Sequence, residues 1–186
     1  MGSKNRHAKE LLPIILKNRR DDQWYVEPFV GGFNMIDKVP GLRLANDSHY
    51  YLIELFKAIQ NGWVPPDTLS EEEYKDIRDN QESYPSYLVG FVGFGCSFGA
   101  KWFGGYARNS RGDNYCKQNK NSLLRQAPSL RNCCLESKNN ILKQNNKIQG
   151  VVIENKSYLD LVIPENSVIY CDPPYQNTTN YSSTFN

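Results

Sequence analysis

The apolar run Ser167-Val168-Ile169-Tyr170-Cys171 passes directly into Asp172-Pro173-Pro174-Tyr175, and that junction leaves the chain little conformational choice. Each proline fixes its own φ and drives the residue before it into extended backbone, so the run cannot continue as a helix. A strand read as buried on both faces therefore ends in a rigid turn. That turn holds one acid, Asp172, and one aromatic, Tyr175, at fixed positions.

Upstream, two shorter apolar runs end in the same manner. Gln23 to Val26 reads as a strand entering the punctuated turn Glu27-Pro28-Phe29-Val30-Gly31-Gly32, with a helix opening over Asn34 to Lys38. Leu42 to Ala45 reads as a second strand, stopped by Asn46-Asp47. The helix after it, His49 to Asn61, carries Leu52, Leu55, Phe56 and Ile59 on one face and stops at Gly62. Strand, polar turn and helix in repetition predict an α/β fold, a parallel sheet with crossover helices on both faces. Val151 to Ile153 resumes it. An N-terminal helix over Ala8 to Lys17 is expected to pack on the same core. In open parallel sheets, ligands bind at the carboxyl ends of the strands. The loops Glu27 to Phe33, Asn46-Asp47 and Asp172 to Tyr175 are thus the candidate site.

Between Trp63 and Gly150 this alternation dissolves. The interval holds Pro65-Pro66, a charged helix near Ser70 to Asn80, a Gly/Phe-rich stretch from Gly90 to Gly105 and an Asn/Lys-rich segment, and reads as a mainly helical and looped insertion. The catalytic core would be 1–62 with 151–186, and the insertion 63–150. A net charge of +2 does not announce a nucleic-acid binder, but its distribution is uneven. From residue 99 to 147, Lys101, Arg108, Arg111, Lys117, Lys120, Arg125, Arg131, Lys138, Lys143 and Lys147 face only Asp113 and Glu136. Gly93, Gly95 and Gly99 miss the G-x-G-x-x-G spacing and are set aside as a dinucleotide loop. The N-terminus lacks the apolar core of a secretory signal and no run reaches membrane-spanning length, so a cytoplasmic protein is expected. The five cysteines lack metal-ligand spacing and are expected to be reduced thiols, with no metal.

The turn Asp172-Pro173-Pro174-Tyr175 resembles the D-P-P-Y signature of amino-methyltransferases acting on DNA bases. Glu27-Pro28-Phe29-Val30-Gly31-Gly32-Phe33 is similar to that family's E-P-F-x-G loop, and Gly2-Ser3-Lys4 before an apolar helix resembles its G-x-K element. The order of these parts resembles Dam-type (D12 class) DNA adenine methyltransferases, especially phage-like ones. The resemblance implies a Rossmann-like S-adenosylmethionine-dependent fold. Its expected partner is double-stranded DNA with one adenine flipped out, and the expected state is a monomer. It implies that the adenine stacks on Tyr175 while Asp172 and the Pro173 carbonyl accept from its amino group, with Pro174 stiffening the turn. The cofactor would be held by Gly2, Ser3, Lys4, Glu27, Pro28, Phe29, Gly31, Gly32, Phe33, Asp47, Tyr158 and Asp172. Asp47 is assigned to the ribose hydroxyls, and it reads equally as a helix N-cap. In the insertion, Lys101, Trp102, Tyr106, Arg108 and Arg111 are the expected DNA contacts, with a solvated charged surface as the plainer alternative.

The chain departs from the family at three places. The family often has a further glycine where Phe33 stands, and commonly an acid where Ser157 precedes Tyr158. Members also continue past D-P-P-Y with strands that complete the sheet, so the core is expected to lack its C-terminal strands. Two other readings stay open: a non-catalytic remnant that binds DNA or cofactor, and an amino-methyltransferase acting on cytosine in DNA or guanine in ribosomal RNA.

Overall fold

A computed structural model of the chain describes residues 4–107 and 133–173. Of the expected site residues, Gly2, Ser3, Arg108, Arg111, Pro174 and Tyr175 lie outside those residues. The chain divides into two compact units, Gly2–Ile53 with Lys147–Asn186, and Glu54–Asn146. The boundaries fall inside helices, where the sequence reading places them at residues 63 and 150.

The first unit is built on four parallel strands: β1 (Tyr25–Glu27), β2 (Arg43–Asn46), β3 (Val151–Glu154) and β4 (Val168–Ile169). Their order across the sheet is β3-β2-β1-β4. The chain thus runs outward from β1 through β2 to β3, then returns to the other side of β1. Strand order reverses between β1 and β4, which is where a doubly wound sheet opens a crevice at its carboxyl ends. Val26 pairs with Leu44 on one side and Ile169 on the other, and Leu44 pairs with Val152. Val26, Leu44 and Leu161 form a core cluster, closed by Trp24 and Ile163. Burying each of the two strand residues contributes about 1.5–3 kcal/mol.

Strands β1 and β4 are shorter than the runs read for them, whereas β2 and β3 are not. The clearest difference is β4, read from sequence as a buried strand over Ser167 to Cys171 but regular only over Val168–Ile169, with the Val168 and Tyr170 amides donating to the Trp24 and Val26 carbonyls and Ile169 47% exposed. An apolar run records that a strand can be buried on both faces. Whether it is buried depends on what packs against it, and β4 lies at the edge of the described sheet.

Helix α1 (Ala8–Ile15) tolerates Pro13 within it and buries Ala8 and Leu12. The helix expected over Asn34 to Lys38 is only a 3₁₀ turn, Ile36–Lys38, with Ile36 and Asp37 buried. Arg43 fixes the start of β2: its guanidinium donates to the carbonyls of Lys147 and Gln149, at 2.6 and 2.7 Å. Helix α2 (Tyr50–Gln60) buries Leu52, Leu55, Phe56 and Ile59, the face its spacing predicts.

The second unit is helical and aromatic. Helix α3 (Glu71–Asp79) begins at a capping box in which Ser70 Oγ accepts from the Glu73 amide and the Glu73 carboxylate accepts from the Ser70 amide. The short α4 (Ser86–Gly90) runs on into a π-helical turn, Phe91–Gly95. The Asn/Lys-rich segment ends in α5 (Cys133–Ile148), which continues into the first unit.

Candidate active site

The loop leaving β1 is tied to the ends of two other strands. The Val30 amide donates to the Asn46 carbonyl at 2.8 Å, and the Gly31 amide donates to Asp47 Oδ2 at 3.0 Å. Asn46, fully buried, donates through Nδ2 to the carbonyls of Pro28 and Lys156, both at 3.1 Å, and its Oδ1 accepts from the Lys156 amide at 2.9 Å. Asn155 Nδ2 donates to the Asp47 carbonyl at 2.7 Å. One amide side chain at the end of β2 therefore fixes the loops after β1 and β3. Asn46, Asn155 and Lys156 are the positioning residues that the sequence reading missed. The available signal was Asn46 itself, which at a strand end reads first as a turn residue.

Within the loop, Gly31 has φ +50° and a Cβ there would meet open space, so the glycine answers a backbone demand and leaves room above it. A Cβ on Gly32 would lie 2.8 Å from Asn34 Nδ2. Phe33, at the place where a glycine was expected, takes φ +58° and is fully buried. The demand for a left-handed residue is met here by a phenylalanine whose ring burial offsets a strain of about 1–2 kcal/mol.

Asp47 uses both carboxylate oxygens within the chain. Oδ2 accepts from Gly31 and Oδ1 accepts from the His49 amide at 2.9 Å, an Asx turn that leads into α2. The residue capping that helix is His49, whose carbonyl and ring Nδ1 both face the Leu52 amide. The carboxylate is half-buried and each oxygen keeps a second lone-pair direction, so it can still accept from a hydroxyl. Tyr158 lies beyond β3, 42% exposed, with its ring 5.3 Å from that of Phe29. The two rings form an apolar wall beside the loop. The neighbouring Ser157 hydroxyl accepts from the Leu159 amide at 3.3 Å.

At the end of β4, Asp172 Oδ1 is 3.0 Å from Lys4 Nζ, with both side chains about a quarter exposed. Two residues at opposite ends of the sequence thus meet where the strand order reverses. Pro173 is exposed beside them. Glu27, the last residue of β1, is 3% exposed, and its Oε1 has no hydrogen-bond partner among the described residues. Its carboxyl is pushed up to about 8, first by burial and then by the charges of Asp37 and Asp172, while the Tyr25 phenol and Lys38 pull the other way. Among the described residues there is no cluster of metal-ligating side chains and no helix long and apolar enough to cross a membrane.

The expected cofactor fits these residues. A buried carboxyl oxygen lacks a partner, Gly31 leaves open space, Asp47 retains acceptor capacity, and Phe29 with Tyr158 offers an aromatic wall.

In the second unit, Lys101 is exposed, whereas Trp102 and Tyr106 are half-buried. Trp102 packs on Phe94 and Phe103, with ring centroids at 5.0 and 4.7 Å. The Tyr106 hydroxyl donates to the Leu69 carbonyl at 2.6 Å. Two of the set-aside glycines serve packing: a Cβ on Gly93 would fall 2.3 Å from the Trp102 ring, and one on Gly95 would fall 3.2 Å from Ser137 Cβ, whereas Gly99 has φ +65° and open space around it.

The family model of D12 class N6 adenine-specific DNA methyltransferases matches residues 1–92. No curated protein matches the chain. The matched span takes in Lys4, the loop Glu27 to Phe33 and Asp47, and stops short of Tyr158 and Asp172.

Proposed function

With residues 1–92 matching the D12 class N6 adenine-specific DNA methyltransferase family, we propose that the protein transfers a methyl group from S-adenosylmethionine to the exocyclic amino group of adenine in a short duplex DNA sequence. The observation that carries this reading is that Asp172 pairs with Lys4, a residue of the family-matched span, at the reversal point of the sheet. The cofactor, when bound, supplies an already activated methyl group, so no metal or nucleophilic side chain is required.

In this reading each of the chain's own residues takes a role. Asp47 accepts from the ribose hydroxyls while its other contacts keep it fixed, and Phe29 and Tyr158 flank the adenine of the cofactor. Gly31 and Gly32 let backbone come close, and Gly2, Ser3, Lys4, Glu27, Pro28 and Phe33 complete the enclosure. Asp172 and the Pro173 carbonyl accept from the target amino group and hold its nitrogen in line for transfer, and Tyr175 stacks on the flipped base. Lys4 leaves Asp172 when that amino group arrives. Lys101, Trp102, Tyr106, Arg108 and Arg111 contact DNA from the inserted unit.

The test is incubation with radiolabelled S-adenosylmethionine and unmethylated duplex DNA, followed by identification of the labelled nucleoside. Label in N6-methyladenine is expected. Label in cytosine, or cofactor binding without any label, overturns the proposal in favour of another amino-methyltransferase or a non-catalytic binder.

A further inference from the structure

Glu27 occupies an unusual electrostatic position. Burial removes it from water and leaves Oε1 without a partner among the described residues. A buried ionised carboxylate in that condition is costly, and a protonated one much less so. The groups that face it come from three elements. From β1 itself comes the Tyr25 phenol, also buried, whose interaction with the carboxyl favours its ionised form. From the 3₁₀ turn come Asp37 and Lys38, but Lys38 Nζ is held by Asp37 Oδ1 at 2.6 Å, and Lys147 Nζ stands 4.0 Å from Asp37 Oδ2. From the segment after β4 comes Asp172, already paired with Lys4. The cations near Glu27 are thus engaged by other carboxylates, and the two nearest acids oppose its ionisation.

We propose that Glu27 is a neutral acid in the free protein and releases its proton to solvent when a cationic cofactor binds, its carboxylate then balancing the arriving positive charge. This rests on the cofactor reading given above. The carboxyl O–H bond breaks, the proton leaves to buffer and the carboxylate remains. The arrangement selects for charge: a ligand carrying a sulfonium and an ammonium recovers the cost of ionising Glu27, whereas an uncharged thioether nucleoside that lacks both does not.

The experiment uses the full chain labelled with ¹³C-glutamate, titrated by carbon-detected NMR, first free and then with S-adenosylmethionine. In the free protein one glutamate carboxyl is expected to titrate far above the others and to vanish in Glu27→Gln. Cofactor at pH 7 should move that signal to its carboxylate position, and calorimetry in buffers of differing ionisation heat should count about one proton released. Neutral 5′-methylthioadenosine should release none. Affinity for the cofactor should rise up to about tenfold per pH unit from 6 toward 8 in the wild type, more steeply than in Glu27→Gln. Should Glu27→Gln fail to fold, sequential assignment of the wild-type resonance identifies the group without it. Titration of Glu27 with the ordinary carboxyls, or a signal that stays protonated with cofactor bound, overturns the proposal. Absence of any cofactor binding overturns the methyltransferase reading instead, and the titration of the free protein is read independently of it.

Discussion

Glycine is required for opposite reasons in the two units. In the sheet unit, Gly31 sits at φ +50° with nothing within 4 Å of where a Cβ would stand, so what matters there is the sign of a dihedral. In the helical unit, Gly93 faces the Trp102 ring at a distance no Cβ tolerates, so what matters is the absence of a side chain. A dihedral demand can be satisfied by other means, as Phe33 shows at φ +58° in the same loop. A volume demand cannot, because an aromatic ring already occupies the space. The first kind of glycine sets the path of a loop and leaves open space beside it, and the second builds a core.

The contrast can be broken by substitution. The largest effect is expected for Phe33→Gly, where losing a fully buried ring costs about 3–5 kcal/mol and relief of the left-handed strain returns about 1–2 kcal/mol. Chemical denaturation should show the difference. A stabilised variant would mean that the ring contributes little and that strain dominates this loop. Gly93→Ala should follow, destabilising by about 1–3 kcal/mol through overpacking against Trp102, with a change in tryptophan emission on denaturation curves. Gly31→Ala should cost less, about 1–2 kcal/mol, and should weaken S-adenosylmethionine binding in a titration more than Gly93→Ala does. Equal binding losses would erase the distinction between a ligand glycine and a packing glycine.

A further effect appears only as pH changes. Glu27 has an ordinary value of 4.5 when unfolded and about 8 when folded, so folding takes up a proton between those values. The stability it contributes is fully present below about 4.5 and is lost as pH rises through 8. Glu27→Gln should therefore gain on the wild type in melting temperature as pH is raised from 5 to 8. A constant difference across that range would mean the carboxyl is not perturbed in the folded state.

The sequence made the sheet unit far more legible than the helical one. Strand ends there coincide with motifs, since Glu27, Asp47 and Asp172 each follow an apolar run, and parallel pairing of those runs suffices to bring the three loops together. What stayed hidden was the fastening. Asn46 beside Asp47 looks like half of a turn, and nothing in its neighbourhood announces that its amide reaches the carbonyls of Pro28 and Lys156. Strand length was overestimated at Ser167 to Cys171 because apolar character measures capacity for burial. In the helical unit the Gly/Phe-rich stretch has no periodicity to read. Its π-helical turn, and the packing of Trp102 on Gly93, arise from tertiary fit that local propensity does not encode.

The pairing of the strands also bears on how the chain assembles. Ala45 pairs with Ile153 and Val26 with Ile169, so the whole of Glu54–Asn146 intervenes between β2 and β3. Only β1 and β2 are close in sequence, and the other pairings close loops of on the order of 100 residues, at a chain-entropy cost of roughly 4 kcal/mol each if those loops were random coil. Contacts this distant slow folding. During synthesis the first two strands emerge long before their outer partners, with their apolar edges unpaired. Early collapse of the inserted unit would shorten the effective loop that the sheet must close, making the insertion a determinant of folding rate as well as a separate surface.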